Sequence, residues 1–219
     1  MDETKPNPKP SIACLPNGPY YLIFGSTPYT IPYLHTADGG TCTKVDAAAL
    51  CRCGGSKTKP LCDGTHSKIG FSDRRTADAS KDHRQSYVGK AITIHDNRGI
   101  CSHSAHCTDN LAAVFRESGD PWIDPDGAAA AAIIATIEKC PSGALSYSID
   151  GVEKRDRDAA PSVTAARNGP YEVTGGIELI GVAFGDGASK EHYTLCRCGA
   201  SNNKPFCDGS HWDINFTDG

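Results

Sequence analysis

The chain has 219 residues, 38% of them hydrophobic, which suits one or two domains with modest cores. Its 22 basic and 26 acidic residues leave a formal net charge of −4, which offers no field to gather phosphate backbones and excludes nucleic acid as an expected partner. The start "MDETKPNPKP" lacks the basic and apolar regions of a secretory signal and the Arg-rich pattern of a transit peptide. The longest apolar run, residues 128–137, is too short to span a bilayer. A cytoplasmic protein with no membrane anchor is expected.

In chain order, "NGPY" at 17–20 opens two β-prone runs, "YYLIFG" (20–25) and "YTIPYL" (29–34), which lead into "CRCGGSKTKPLCDGTH" at 51–66. A polar stretch, 72–86, separates this from a different module at about 87–152. A second polar stretch, 153–167, then precedes "NGPY" again at 168–171. The runs "YEVTGG" and "IELIGVAF" follow, and "CRCGASNNKPFCDGSH" stands at 196–211. The two "NGPY" motifs are 151 residues apart and the cysteine motifs 145, so the second copy is six residues shorter between its landmarks. The chain thus divides into a first half-domain (1–71), a linker (72–86), a middle domain (87–152), a linker (153–167) and a second half-domain (168–219). The fold class is α+β.

Nine of the eleven cysteines fall in ligand-like spacings, which leaves Cys14 and Cys42 as free thiols. An odd count in a reducing compartment favours metal over disulfides. Cys51 and Cys53 are one residue apart and can share a metal on an extended loop. Cys62 and His66 are four apart and share one face of a short helical turn. Asp63 is placed to accept N–H groups at the start of that turn, and Gly64 permits close backbone approach. The same offsets recur at Cys196, Cys198, Cys207 and His211. Two donor pairs per loop suit two metal ions. Three cysteines and one histidine also suit a tetrahedral structural zinc, and spacing alone leaves both open.

The pattern C-x-C-x2-[ST]-x3-P-x-C-D-G-[STA]-H is met at both loops, with Ser56, Pro60, Asp63, Gly64 and Thr65 in the first and Ser201, Pro205, Asp208, Gly209 and Ser210 in the second. Both loops resemble the CDGSH iron–sulfur domain. The resemblance implies a 2Fe-2S cluster at each, one iron held by the leading two cysteines and the other by the third cysteine and the histidine. Members of that family with one motif pair two chains. This chain carries both copies, which implies two β-rich halves forming an intramolecular pseudo-dimer about a pseudo-two-fold axis, monomeric as a molecule. Matched spacing makes the two sites chemically equivalent but separable.

The middle domain supplies Cys101 and Cys107 in "GICSHSAHC" and Cys140 in "EKCPSGALSY", with "PWIDPDGA" at 121–128. It resembles a divergent single-cluster ferredoxin-like domain, which implies an α/β sandwich inserted between the halves. Its expected order is strand 91–96, helix 110–115, helix 128–139 with Ile133 and Ile137 on one face, and strand 144–149, with room for a hairpin around Trp122. Where a four-iron ferredoxin has its second cysteine this chain has Ser104. Three cysteines match the ligand count of a 3Fe-4S cluster. A 4Fe-4S cluster needs Ser104, His103, His106 or an outside ligand as the fourth.

No enzyme site is expected. Ser102 and Ser104 near His103 and His106 lack an oriented base, Asp124 and Asp126 sit in turn contexts, and "GGSKTKP" lacks the phosphate-loop spacing. Three functions remain: one-electron transfer with a protein redox partner, cluster transfer or redox and pH sensing with an apo iron–sulfur acceptor, and a structural zinc module.

Overall fold

The structure is a computed structural model. It describes residues 9–23, 33–36, 41–42 and 47–218, and the side chains of Tyr33, Thr41, Cys42, Ala47 are outside that description. The first half contributes strands β1 (Ser11–Cys14), β2 (Tyr20–Ile23), β3 (Tyr33–Thr36), β4 (Thr41–Cys42) and β5 (Ala47–Leu50), then the short helix α1 (Thr65–Lys68). The middle module contributes β6 (Gln85–Val88), β7 (Thr93–Asp96), α2 (His106–Asn110), α3 (Ala130–Ile137), β8 (Leu145–Ile149) and β9 (Val152–Lys154). The second half contributes β10 (Ser162–Ala165), β11 (Tyr171–Thr174), β12 (Glu178–Ile180), β13 (Tyr193–Leu195) and α4 (Ser210–Asp213). Among the described residues no helix is long and apolar enough to cross a membrane.

The halves exchange strands. One sheet runs β12-β1-β2-β5 and another β13-β11-β10-β3-β4, so the second half lends β12 to the first sheet and the first half lends β3 and β4 to the second. The loans correspond: β12 lies parallel to β1 with Glu178 opposite Ser11, and β3 lies parallel to β10 with Tyr33 opposite Ser162. In β2 the burial alternates along Tyr20, Tyr21, Leu22 and Ile23, and in β11 Tyr171 and Val173 are buried while Glu172 and Thr174 are half-exposed. The inward residues of both sheets share one core that includes Ile12, Leu22, Leu50, Val163, Val173, Leu179 and Leu195. Each such side chain gains about 1.5–3 kcal/mol on leaving water, a gain that an isolated half would forgo over the surface its partner covers.

Three stretches depart from the sequence reading. The linkers are partly strand: β6 begins at Gln85, β9 reaches Lys154, and β10 lies wholly within 153–167. The reason is pairing, since "SVTA" at 162–165 matches "SIAC" at 11–14 in role and both are central strands. The helix expected at 110–115 lies earlier, over His106–Asn110. Val114 and Phe115 instead close a turn on Leu111, and Phe115 then bridges Ile123 in extended form. The third concerns strand order, because β6 and β9 flank the expected pair to give the antiparallel sheet β6-β7-β8-β9. Helix α3 buries Ile133, Thr136 and Ile137 on one face, with Cys140 N–H closing on Ile137 O beyond its end. Ile133 and Ile137 join Ile94, Phe115 and Ile123 in a second core, and Phe184 of the second half packs against both cores.

Candidate metal centres

Each CDGSH loop folds back on the strand before it. Cys51 N–H donates to Pro60 O at 2.8 Å and Cys62 N–H to Ala49 O at 2.8 Å; the counterparts are Cys196 to Pro205 at 2.8 Å and Cys207 to Thr194 at 3.2 Å. The fold-back brings the third cysteine level with the first two. Inside it, Ser56 Oγ donates to Leu61 O and Ser201 Oγ to Phe206 O, both at 2.7 Å. Asp63 accepts from the N–H groups of Lys57 (2.9 Å) and Thr65 (3.0 Å), and Asp208 from Asn202 (2.8 Å) and Ser210 (3.0 Å). The Lys57 and Thr65 bonds hold the Asp63 carboxyl far below the usual carboxylate range. Gly64 (φ 84°) and Gly209 (φ 88°) take the left-handed conformation that starts α1 and α4, and this turn carries the histidine back over the cysteine.

The result at each loop is two donor pairs. Cys51 Sγ lies 3.9 Å from Cys53 Sγ, and Cys62 Sγ lies 3.4 Å from His66 Nδ1. The second loop gives 3.7 Å for Cys196 and Cys198 and 3.4 Å for Cys207 and His211. Among the described residues no three His, Cys, Asp or Glu side chains converge as one ion would require. Backbone N–H groups point at the sulfurs: Gly55 at Cys53 and Gly64 at Cys62, both 3.4 Å, and Ala200 at Cys198, 3.5 Å. Burial raises the Cys53 and Cys207 thiols, while the bond from Cys196 to Cys198 holds Cys198 down to about 7. Thiols raised by burial, as at Cys53 and Cys207, become thiolates beside a cation, so the donor sets fit metal at each loop.

The loops are braced crosswise. Tyr20 of the first half donates its hydroxyl to Cys196 O (2.9 Å) and Pro205 O (2.8 Å) of the second loop, and Tyr171 of the second half to Cys51 O (2.9 Å) and Pro60 O (2.8 Å) of the first. Arg52 lies over the Tyr20 and Phe71 rings and pairs with Asp73 at 3.3 Å; Arg197 lies over Tyr171 and Phe216 and pairs with Asp218. Where the loops meet, Cys53 and Cys198 form a backbone bridge, and Gly54 and Gly199 leave no room there for a side chain. Sequence reasoning missed these braces. The signal was present, since the repeat runs on from Phe71 to Asp73 and from Phe216 to Asp218.

In the middle module, Cys101, Cys107 and Cys140 border one cavity of about 360 Å³. His103, Ser104 and His106, the three candidate fourth ligands, border it too. Burial pushes the Cys101 thiol up to about 12 and raises Cys107, although Arg98 lies 3.7 Å from Cys101 Sγ. Asp96 also borders the cavity. It is buried, one carboxylate oxygen lacks a hydrogen-bond partner among the described residues, and desolvation raises it to about 6. Three thiols around one half-open space fit an iron–sulfur centre. Of the cysteines left outside these sites, Cys14 is a free, partly buried thiol whose pKa burial raises, and the Cys42 side chain lies outside the described residues.

The family described as "Iron-binding zinc finger CDGSH type" matches residues 17–67 and again 168–212, and that described as "Divergent 4Fe-4S mono-cluster" matches 87–150. Two Escherichia coli proteins, both named "Uncharacterized protein YjdI", from strains K12 and O157:H7, are each 39% identical over 61 residues, which is 28% of this chain and 80% of theirs. No solved structure matches.

Proposed function

Because this chain belongs to the CDGSH iron-binding family, with a divergent 4Fe-4S mono-cluster domain between its two copies, we propose that it is a one-electron carrier. It would hold a 2Fe-2S cluster at each CDGSH loop and a 3Fe-4S or 4Fe-4S cluster in the middle. The observation that carries this reading is the division of each loop's donors into two pairs 3.4–3.9 Å across. Cys51 with Cys53, and Cys196 with Cys198, would hold the inner irons; Cys62 with His66, and Cys207 with His211, the outer ones. Cys101, Cys107 and Cys140 would hold the middle centre.

Such a cluster, when bound, takes up and returns a single electron. The chain's part is to fix ligands, exclude water and set the potential. Burial of Cys51, Cys53, Cys196 and Cys198 keeps water from the inner pairs, and the N–H groups aimed at sulfur favour the more negative state. The exchanged strands and crossed tyrosines support an intramolecular counterpart of a dimer, in which each loop is held rigid by the opposite half. The partner is a protein redox partner, met without nucleic acid or membrane.

Replacing a thiolate by neutral imidazole leaves each centre one unit less negative. Its potential should therefore lie above the roughly −400 mV of plant-type ferredoxins. His66→Cys with His211→Cys should lower the potential of both terminal centres in an EPR-monitored redox titration. An unchanged potential would remove the histidines from the ligand set. A second reading, cluster transfer, draws support from the first loop, where Cys62 and His66 are half-exposed. Incubation with an apo-ferredoxin separates the two: a carrier cycles through reduction and keeps its iron, whereas a donor loses it to the acceptor.

A further inference from the structure

The outer edges of the two CDGSH loops face different surroundings. At the second loop, the cysteine loop of the middle module lies against Cys207–His211. A methyl built on Gly209 would come within 2.9 Å of the His103 ring. Trp212 donates its indole N–H to His103 O at 3.1 Å, and its ring lies 5.0 Å from the His211 ring, centroid to centroid. On its other side, His103 directs its own N–H to Cys101 Sγ, 3.4 Å away. Nearby, Asn203 Nδ2 donates to Gly99 O at 2.8 Å and fastens the two loops together. A continuous run of contacts thus leads from the His211 imidazole through Trp212 and His103 to the Cys101 sulfur. Among the described residues the first loop has no such run: a methyl on Gly64 would meet nothing within 4 Å, and the position matching Trp212 is Ser67.

We propose that His103, Gly209 and Trp212 form an internal electron junction between the middle centre and the second CDGSH centre, with the first CDGSH loop reached from the middle module only through the second, across the Cys53–Cys198 bridge. This rests on the iron–sulfur carrier reading above. Electron exchange between centres weakens steeply with separation and with gaps between packed groups. Packed atoms and two hydrogen bonds fill this gap at the second loop, and among the described residues no such contacts join the middle module to the first. The step balances within the molecule: the side held by Cys101 loses one electron, the side held by Cys207 and His211 gains it, and no bond forms or breaks.

The test is freeze-quench EPR on the holoprotein after mixing with less than one electron equivalent of dithionite. Cys62→Ser and Cys207→Ser identify the two terminal signals. The middle and second-loop centres should reach their final ratio before the first-loop centre does. Trp212→Ser, which copies Ser67 at an exposed position, and His103→Asn, which suits the left-handed backbone there, should abolish that lead. Trp212→Ser, which lies outside both ligand sets, should keep the magnetic relaxation enhancement of the second-loop signal by the reduced middle centre, because the centres do not move. If all three centres are present and reversibly reduced but the terminal two fill at equal rates, the junction is wrong and the carrier reading stands. A variant that exchanges as fast as the wild type removes that residue from the junction. Irons too few for a middle centre, or centres that do not cycle, overturn both.

Discussion

Gly64 and Gly209 adopt the same left-handed turn between a cysteine and a histidine, yet one faces open space and the other the ring of His103. The comparison extends outward from there. In the first loop Cys62 and His66 are half-exposed; in the second Cys207 and His211 are 2% and 4% exposed. Inside, the loops match donor for donor, with the same fold-back, aspartate turn and arginine brace. Ligand geometry is therefore a property of the loop itself, while solvent access and neighbours are set by what docks against it. Equivalence holds for the inner pair and fails at the outer one.

The crossed tyrosines offer the largest way to break the likeness. Tyr20→Phe removes the hydroxyl shared by Cys196 O and Pro205 O, leaving Pro205 O only its bond from Cys196 N–H, and Tyr171→Phe does the same at Cys51 O and Pro60 O. Each change should cost about 1–3 kcal/mol. The damage should cross over, so that Tyr20→Phe loosens the second centre and Tyr171→Phe the first, read as the temperature at which each EPR signal is lost. Damage on the same side as the substitution would contradict the exchanged architecture.

A smaller effect probes the docking of the middle module on the second half. Glu153 is partly desolvated, yet hydrogen bonds from Arg155 and Arg84 hold its carboxyl down to about 2, and the Arg84 N–H reaches Asp186 of the second half at 3.0 Å. A depressed carboxylate stabilises the fold above its unfolded value near 4.5, and the contribution disappears as pH falls toward 2. Partial exposure reduces it to about 1 kcal/mol. Glu153→Gln should lower stability by that amount, equally at pH 8 and pH 6.5, since both lie above the window, and should loosen the second centre more than the first. A difference that already shrinks between pH 8 and pH 6.5 would contradict the ion pair.

Much of each CDGSH loop could be read from sequence because its geometry is local. Cys51, Cys53, Cys62 and His66 lie within sixteen residues, and Pro60, Asp63 and Gly64 shape the backbone between them. Cys101, Cys107 and Cys140 were likewise readable as a set, and they border one cavity. The braces were not, since Tyr20 lies 176 residues from the Cys196 carbonyl that it binds. Nor was β10, whose "SVTA" shares only its serine with "SIAC" and belongs to the repeat by pairing rather than by residue type. The helix misplaced at 110–115 shows competition between levels: an apolar run with helical character is drawn into extended form by the bridge between Phe115 and Ile123. Trp212 reads as a lone exposed aromatic until the fold sets it beside His103.

The most direct measurement of the central claim is iron, zinc and acid-labile sulfide per chain in the wild type, Cys62→Ser and Cys207→Ser, purified without air. The account predicts no zinc, and a loss of about two irons and two sulfides with either substitution while the other terminal centre remains. Zinc without labile sulfide, or the loss of both terminal centres from one substitution in a chain that stays folded, would contradict it.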